Sequence, residues 1–99
     1  MATIETIRFK LREGVRESDF VTFNREVQTE YMELQPGFIS RESSLSDDGE
    51  WLVVVHWASD EDATATINAF YGAPQAQAFL GAVDVDTVVS ARYHLVELS

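Results

Sequence analysis

Cysteine is absent from the 99-residue chain, and histidine occurs only as His56 and His94. These absences exclude a disulfide framework, a thiolate nucleophile and a zinc ribbon, and they leave too few imidazoles for a histidine-rich metal site. Basic residues are also scarce: seven Lys and Arg stand against seventeen Asp and Glu, for a formal charge of -10. Six of the seven bases precede residue 42, so the remainder sets ten acids against Arg92. A chain that neutralises phosphates needs a basic stripe, so neither nucleic acid nor an anionic membrane is expected as a partner. No apolar run approaches the roughly 20 residues of a membrane span. The first ten residues alternate charged and apolar side chains where a signal peptide carries an unbroken apolar block, and the expected location is cytoplasmic. There is no glycine-rich dinucleotide fingerprint and no Gly-x-Ser-x-Gly elbow, so neither a nucleotide cofactor nor a serine nucleophile is expected. With two prolines, five glycines, 45% hydrophobic and 11% aromatic residues, the composition is that of a folded chain. Its length admits a single core over residues 1–99.

Thr3 to Leu11 alternates, with Ile7, Phe9 and Leu11 on one face and Thr6, Arg8 and Lys10 on the other, which predicts a strand. Ser18 is positioned to cap a helix whose apolar residues Phe20, Phe23, Val27, Tyr31 and Leu34 recur every three or four positions. Pro36-Gly37 ends it, and Phe38 to Leu45 reads as a second strand. Ser46-Asp47-Asp48-Gly49 is a hairpin signal leading into Trp51 to Trp57, a strand apolar on both faces. Ser59 followed by three acids is a helix start, and Ala63, Ile67, Phe70 and Tyr71 form its stripe. Gly72 breaks that helix, Pro74 opens a short second piece carrying Ala76, Phe79, Leu80 and Val83, and Thr87 to Leu98 closes the chain as a strand.

The predicted order is an α+β, ferredoxin-like βαββαβ sandwich with an antiparallel four-stranded sheet. Helices cover one face of such a sheet. Because Trp51 to Trp57 is apolar on both sides, the second face calls for a cover, and a second copy of the chain packed sheet to sheet is the economical one.

Pro36-Gly37-Phe38-Ile39, the Asp47-Asp48-Gly49 hairpin, Trp51 to Trp57 and Ser59-x-Glu61-x-Ala63 together resemble the dimeric α/β-barrel superfamily, and within it the antibiotic biosynthesis monooxygenase-like group. The resemblance spans essentially the whole chain and implies a dimeric α/β barrel. It also implies an activity among cofactor-free oxygenases, haem-degrading enzymes, cyclases and isomerases. Haem-degrading members hold iron with a histidine after the second helix; Pro74 to Val83 has none, so no haem is expected. The cyclase-like members use a tyrosine and a histidine where this chain has Phe70 and Ala76. The cofactor-free oxygenases line a cavity with Asn, Trp, Tyr and Arg, for which Asn68, Trp57, Tyr71 and Arg92 are the analogues.

His56 is the candidate proton acceptor; a histidine hydrogen-bonded at a subunit interface is the competing role. Asn68 and Tyr71 are candidate donors to a substrate oxygen, and these three make up the expected catalytic set. Trp57, Phe23, Phe70, Tyr93 and Arg92 are the expected substrate-binding residues, with the helix stripes meeting the sheet around Trp57 across a gap. His56 and Trp57 are consecutive, so only one of them can face the helices unless a bulge intervenes. No cofactor and no metal are expected. The functional expectation is cofactor-free oxidation or isomerisation of a small phenolic or polycyclic aromatic substrate, and the alternative is a non-catalytic homodimer that binds a small ligand or serves as a scaffold.

Overall fold

The computed structural model describes residues 2–97. Four strands, β1 (Thr3–Phe9), β2 (Phe38–Leu45), β3 (Trp51–Trp57) and β4 (Val89–His94), form one antiparallel sheet in the order β2-β3-β1-β4. Three helices, α1 (Glu17–Glu30), α2 (Asp60–Phe70) and α3 (Gln77–Ala82), cover one face. The fold is thus the α+β, ferredoxin-like arrangement that the sequence pattern predicts.

Burial follows strand parity. In β3, Trp51, Val53, Val55 and Trp57 are buried, whereas Leu52 is exposed and Val54 and His56 are half-buried. In β1 the buried set is Thr3, Glu5 and Phe9. The odd-numbered residues of both strands therefore look toward the helices, since side chains alternate across a strand. Phe20 of α1 sits at the centre of an aromatic cluster, 4.9 Å from Trp51, 5.0 Å from Phe79 and 5.7 Å from Phe9 between ring centroids. Each such side chain withdrawn from water contributes roughly 2–3 kcal/mol, so this cluster anchors α1 and α3 to the sheet.

Several element boundaries differ from the sequence expectation. Arg16, not Ser18, occupies the cap of α1 and makes no side-chain cap bond; Glu17 and Asp19 instead place charge in the first turn, where the helix dipole favours it. Arg16 is tied to Asp19 by a 3.0 Å ion pair. The helix stops at Glu30, and Met32–Leu34 is a 3-10 turn. This turn rotates the stripe, so Met32 is buried and Leu34 is 72% exposed. The first strand ends at Phe9, with Leu11 reaching only an isolated bridge to Val83. Val85–Thr87 is a 3-10 turn, so the last strand is shorter than expected, and the expected end at Leu98 lies outside the described residues. The Ser59 cap is as expected: its hydroxyl accepts the Asp62 N–H at 3.2 Å.

One irregularity matters for the site. Phe38 pairs with Trp57, but Ser40 pairs with His56 and Arg41 with Val55, so one extra residue is accommodated near Ile39. Plain alternation from Phe38 would send Arg41 to the uncovered face. The bulge turns it toward the helices instead.

Candidate functional site

A cavity of about 500 Å³ lies between the sheet and the helices. Its floor comes from β1 and β3, through Ile7, Phe9, Val53 and Val55. Ile67 and Phe70 of α2, Phe79 and Leu80 of α3, and Val27 and Met32 at the α1 side complete the lining, with the Phe70 and Phe79 rings edge-on at 5.8 Å. The volume is within the usual range for a small-molecule site, and the walls are apolar with few polar groups, as such sites require. Those polar groups are Glu5, Arg41, Tyr71 and Ser90.

Glu5 reaches the cavity because it shares the parity of Phe9 and Ile7. It is only 5% exposed. Its Oε2 lies 3.5 Å from Arg92 Nε, on the residue directly opposite in β4. Arg92 is in turn held by a 2.8 Å bond from Nη1 to Thr64 Oγ1 of α2. Oε1 has no hydrogen-bond partner and is fully buried. A buried acceptor without a donor carries its full desolvation penalty, which a bound donor would relieve.

Arg41 stands at the other end. Nη2 donates to Asn24 Oδ1 at 2.7 Å and Nη1 to Gln28 Oε1 at 3.3 Å, both on α1. These acceptors are neutral, and among the described residues no carboxylate lies within ion-pair distance of the guanidinium. Burial pushes its pKa down to about 10, which leaves it cationic at neutral pH. Glu5 and Arg41 both pair with Val55, one on each side, so the three residues form a single row across the sheet floor. Two strand spacings put the backbones of Glu5 and Arg41 about 10 Å apart.

The expected site residues are distributed over the molecule. Phe70 and Tyr71 line the cavity, Phe70 buried and Tyr71 67% exposed at its rim. Trp57 faces the helices but is wholly buried, with Phe38 edge-on at 5.9 Å, and lies outside the cavity lining. Phe23 is half-buried against the core, and it too lies outside the lining. His56 and Tyr93 are on the uncovered sheet face, a consequence of the parity that turns Trp57 inward. Asn68 is exposed on α2. Arg92 is half-exposed and touches the site through Glu5. The structure thus brings Phe70 and Tyr71 to the cavity, attaches Arg92 to it, and leaves His56, Asn68, Trp57, Phe23 and Tyr93 away from it.

Glu5 and Arg41 were not among the expected residues. For Glu5 a signal exists in the sequence: extending the inward face Leu11, Phe9, Ile7 by two positions lands on a glutamate. No such signal exists for Arg41, whose direction depends on the bulge. His94, exposed on β4, meets the Asp60 carboxylate at 2.8 Å.

The same architecture occurs in solved structures that include a cofactor-independent oxygenase and candidate antibiotic biosynthesis monooxygenases. SnoaB, a cofactor-independent oxygenase from Streptomyces nogalater, superposes with a TM-score of 0.79 at 13% identity, over 98% of this chain and 95% of that one. A candidate antibiotic biosynthesis monooxygenase from Chloroflexus aurantiacus gives 0.74 at 10% identity, over 100% and 97%. Rv0793 from Mycobacterium tuberculosis gives 0.66 at 14% identity, over 100% and 99%. No family model and no curated protein matches the sequence. At these identities the likeness is one of fold. Among the described residues no helix is long and apolar enough to cross a membrane.

Proposed function

We propose that the protein is a cofactor-independent, monooxygenase-type oxidoreductase acting on a small phenolic or polycyclic aromatic substrate. The supporting observation is the cavity of about 500 Å³, apolar on its floor and walls and bearing a few separated polar groups, within a fold shared with a cofactor-independent oxygenase. Flat aromatic rings match walls made of Phe70, Phe79 and Ile67. In an anthrone-like substrate a methylene proton is removed and the electron pair is delocalised onto the conjugated carbonyl. The anion passes one electron to dioxygen, and the resulting radical pair combines at carbon to give a peroxide. After protonation, loss of water breaks the O–O and remaining C–H bonds and leaves a new carbonyl, so one substrate and one O2 give one quinone and one water. The protein's part is to exclude water, orient the ring and stabilise the anion. Tyr71 and Phe70 at the cavity wall are its contacts to the substrate in this reading.

The working unit is proposed to be a cytoplasmic homodimer packed sheet to sheet. On the uncovered face Leu52, Val89 and Tyr93 are 36%, 51% and 58% exposed, and Val54 and His56 lie among them. A second copy would bury this patch and would account for His56 as an interface residue.

The test is a titration with anthrone and with a hydroxylated naphthoquinone, following tryptophan fluorescence and oxygen uptake together. Saturable quenching with one O2 consumed per anthrone oxidised is expected. Quenching without oxygen uptake would replace the oxygenase by a ligand-binding module, and no response would leave a scaffold.

A further inference from the structure

We propose that Glu5 is the proton acceptor of this cavity and that Arg41 receives the negative charge at its opposite end. The inference rests on the reading of the cavity as a site for aromatic carbon acids, and it names the residues that perform the first step.

Three observations carry it. Glu5 lines the cavity, is buried, and holds one carboxylate oxygen, Oε1, without any partner. A buried carboxylate with one oxygen paired to Arg92 and the other without a donor is arranged to take a proton, or a hydrogen bond, on that free oxygen from whatever enters. Arg41 also lines the cavity, and its guanidinium donates to two neutral amide oxygens. A guanidinium has five N–H donors, so donors remain for an oxyanion. The third observation is the row Glu5, Val55, Arg41, which places acceptor and cation on opposite sides of one apolar residue. The bulge in β2 exists at the position that re-aims Arg41 into this row.

The row selects a ligand with two reactive ends. A C–H or O–H bond near Glu5 breaks heterolytically, the proton forms an O–H bond on Oε1, and the electron pair moves through the conjugated ring to a carbonyl oxygen facing Arg41. The chemical class is a flat carbon or oxygen acid conjugated across at least one ring to a carbonyl. No oxidant takes part in this step. Arg92 is a positioning residue: it contacts Oε2 and leaves Oε1 free.

The experiment is deuterium exchange into the methylene of anthrone, followed by NMR in heavy water under argon, with the full chain. Wild type is expected to accelerate exchange, and Glu5→Gln to lower the protein-dependent rate at least about a hundredfold, as loss of a general base does. Arg41→Gln is expected to lower it at least about tenfold while anthrone still quenches fluorescence. Glu5→Asp retains the charge and withdraws the carboxylate by one methylene, so it serves if Glu5→Gln does not fold; a rate at least about tenfold below wild type is expected. Exchange in Glu5→Gln or Glu5→Asp within threefold of wild type would overturn the assignment, as would no acceleration by wild type. Because dioxygen is excluded, exchange without later oxygen uptake would refute the oxygenase reading and leave the roles of Glu5 and Arg41 standing.

Discussion

The hydroxyl of Tyr31 donates to the backbone carbonyl of Thr66 at 2.7 Å, joining the end of α1 to the buried face of α2. Burial raises the pKa of this phenol, so it is a protonated donor at neutral pH. Tyr31→Phe keeps the ring stacked edge-on against Phe70 and removes only the bond. A loss of about 1 kcal/mol in unfolding free energy is expected, read from urea midpoints at unchanged slope. A loss below the error of the titration would mean that this bond does not hold α1 to α2.

Acid should weaken the contact between α2 and the sheet. Asp60 Oδ1 accepts from the Thr3 hydroxyl at 2.6 Å and Oδ2 meets the His94 ring at 2.8 Å. The Thr3 bond first, and His94 second, hold the Asp60 pKa below its ordinary value. A depressed carboxyl contributes stability that is complete above the unfolded-state pKa, about 3.9 for Asp, and is lost as pH falls through the folded value. The stability difference between wild type and Asp60→Asn should therefore shrink as pH falls below about 4. Urea titrations at a series of pH values measure it, and a difference that grows below that pH would contradict the assignment.

Two glycines with positive φ should respond differently to alanine. Gly37 has φ +79° and a Cβ there would collide with the Asp62 side chain, whereas Gly49 has φ +87° and open space around it. The left-handed conformation alone costs about 1–2 kcal/mol, so Gly49→Ala should lose about that much. Gly37→Ala must also displace the Asp62 side chain, and should lose at least about 1 kcal/mol more. Thermal or urea unfolding of both variants ranks them, and the reverse order would show that Asp62 gives way freely.

The proposed dimer predicts a mass of twice 11.1 kDa by light scattering at low micromolar concentration. An interface resembling a core cut in half resists dilution at that level. Val54→Asp, which places a charge on the uncovered face and away from the cavity, should give a folded monomer. A wild-type monomer at that concentration would end the proposal.

The strands, the hairpin, the second helix start and the broken second helical segment were legible because each rests on a local rule: period-two alternation, Asp-Gly at a reversal, Ser59 before three acids, Pro74 at a first turn. The resemblance to the dimeric α/β-barrel superfamily rested on the same segments. Less legible were the ends of α1, where Arg16 with first-turn acids replaced a side-chain cap and a 3-10 turn rotated Leu34 outward. Several nearly equivalent residues can serve at a helix end, so packing decides among them.

The candidate site divides along the same line. Glu5 was available to sequence reasoning, because strand parity alone turns it toward Phe9 and Ile7. That His56 and Trp57 look to opposite faces was likewise determined by the chain, but which of them looks inward was not. The tertiary structure decided that, because packing α1 and α3 onto Trp51 and Phe9 selects the odd face of the sheet. It also decided the direction of Arg41. A bulge reverses the parity of every residue beyond it, and its place in β2 depends on pairing with a strand more than ten residues away, which alternation within β2 does not record.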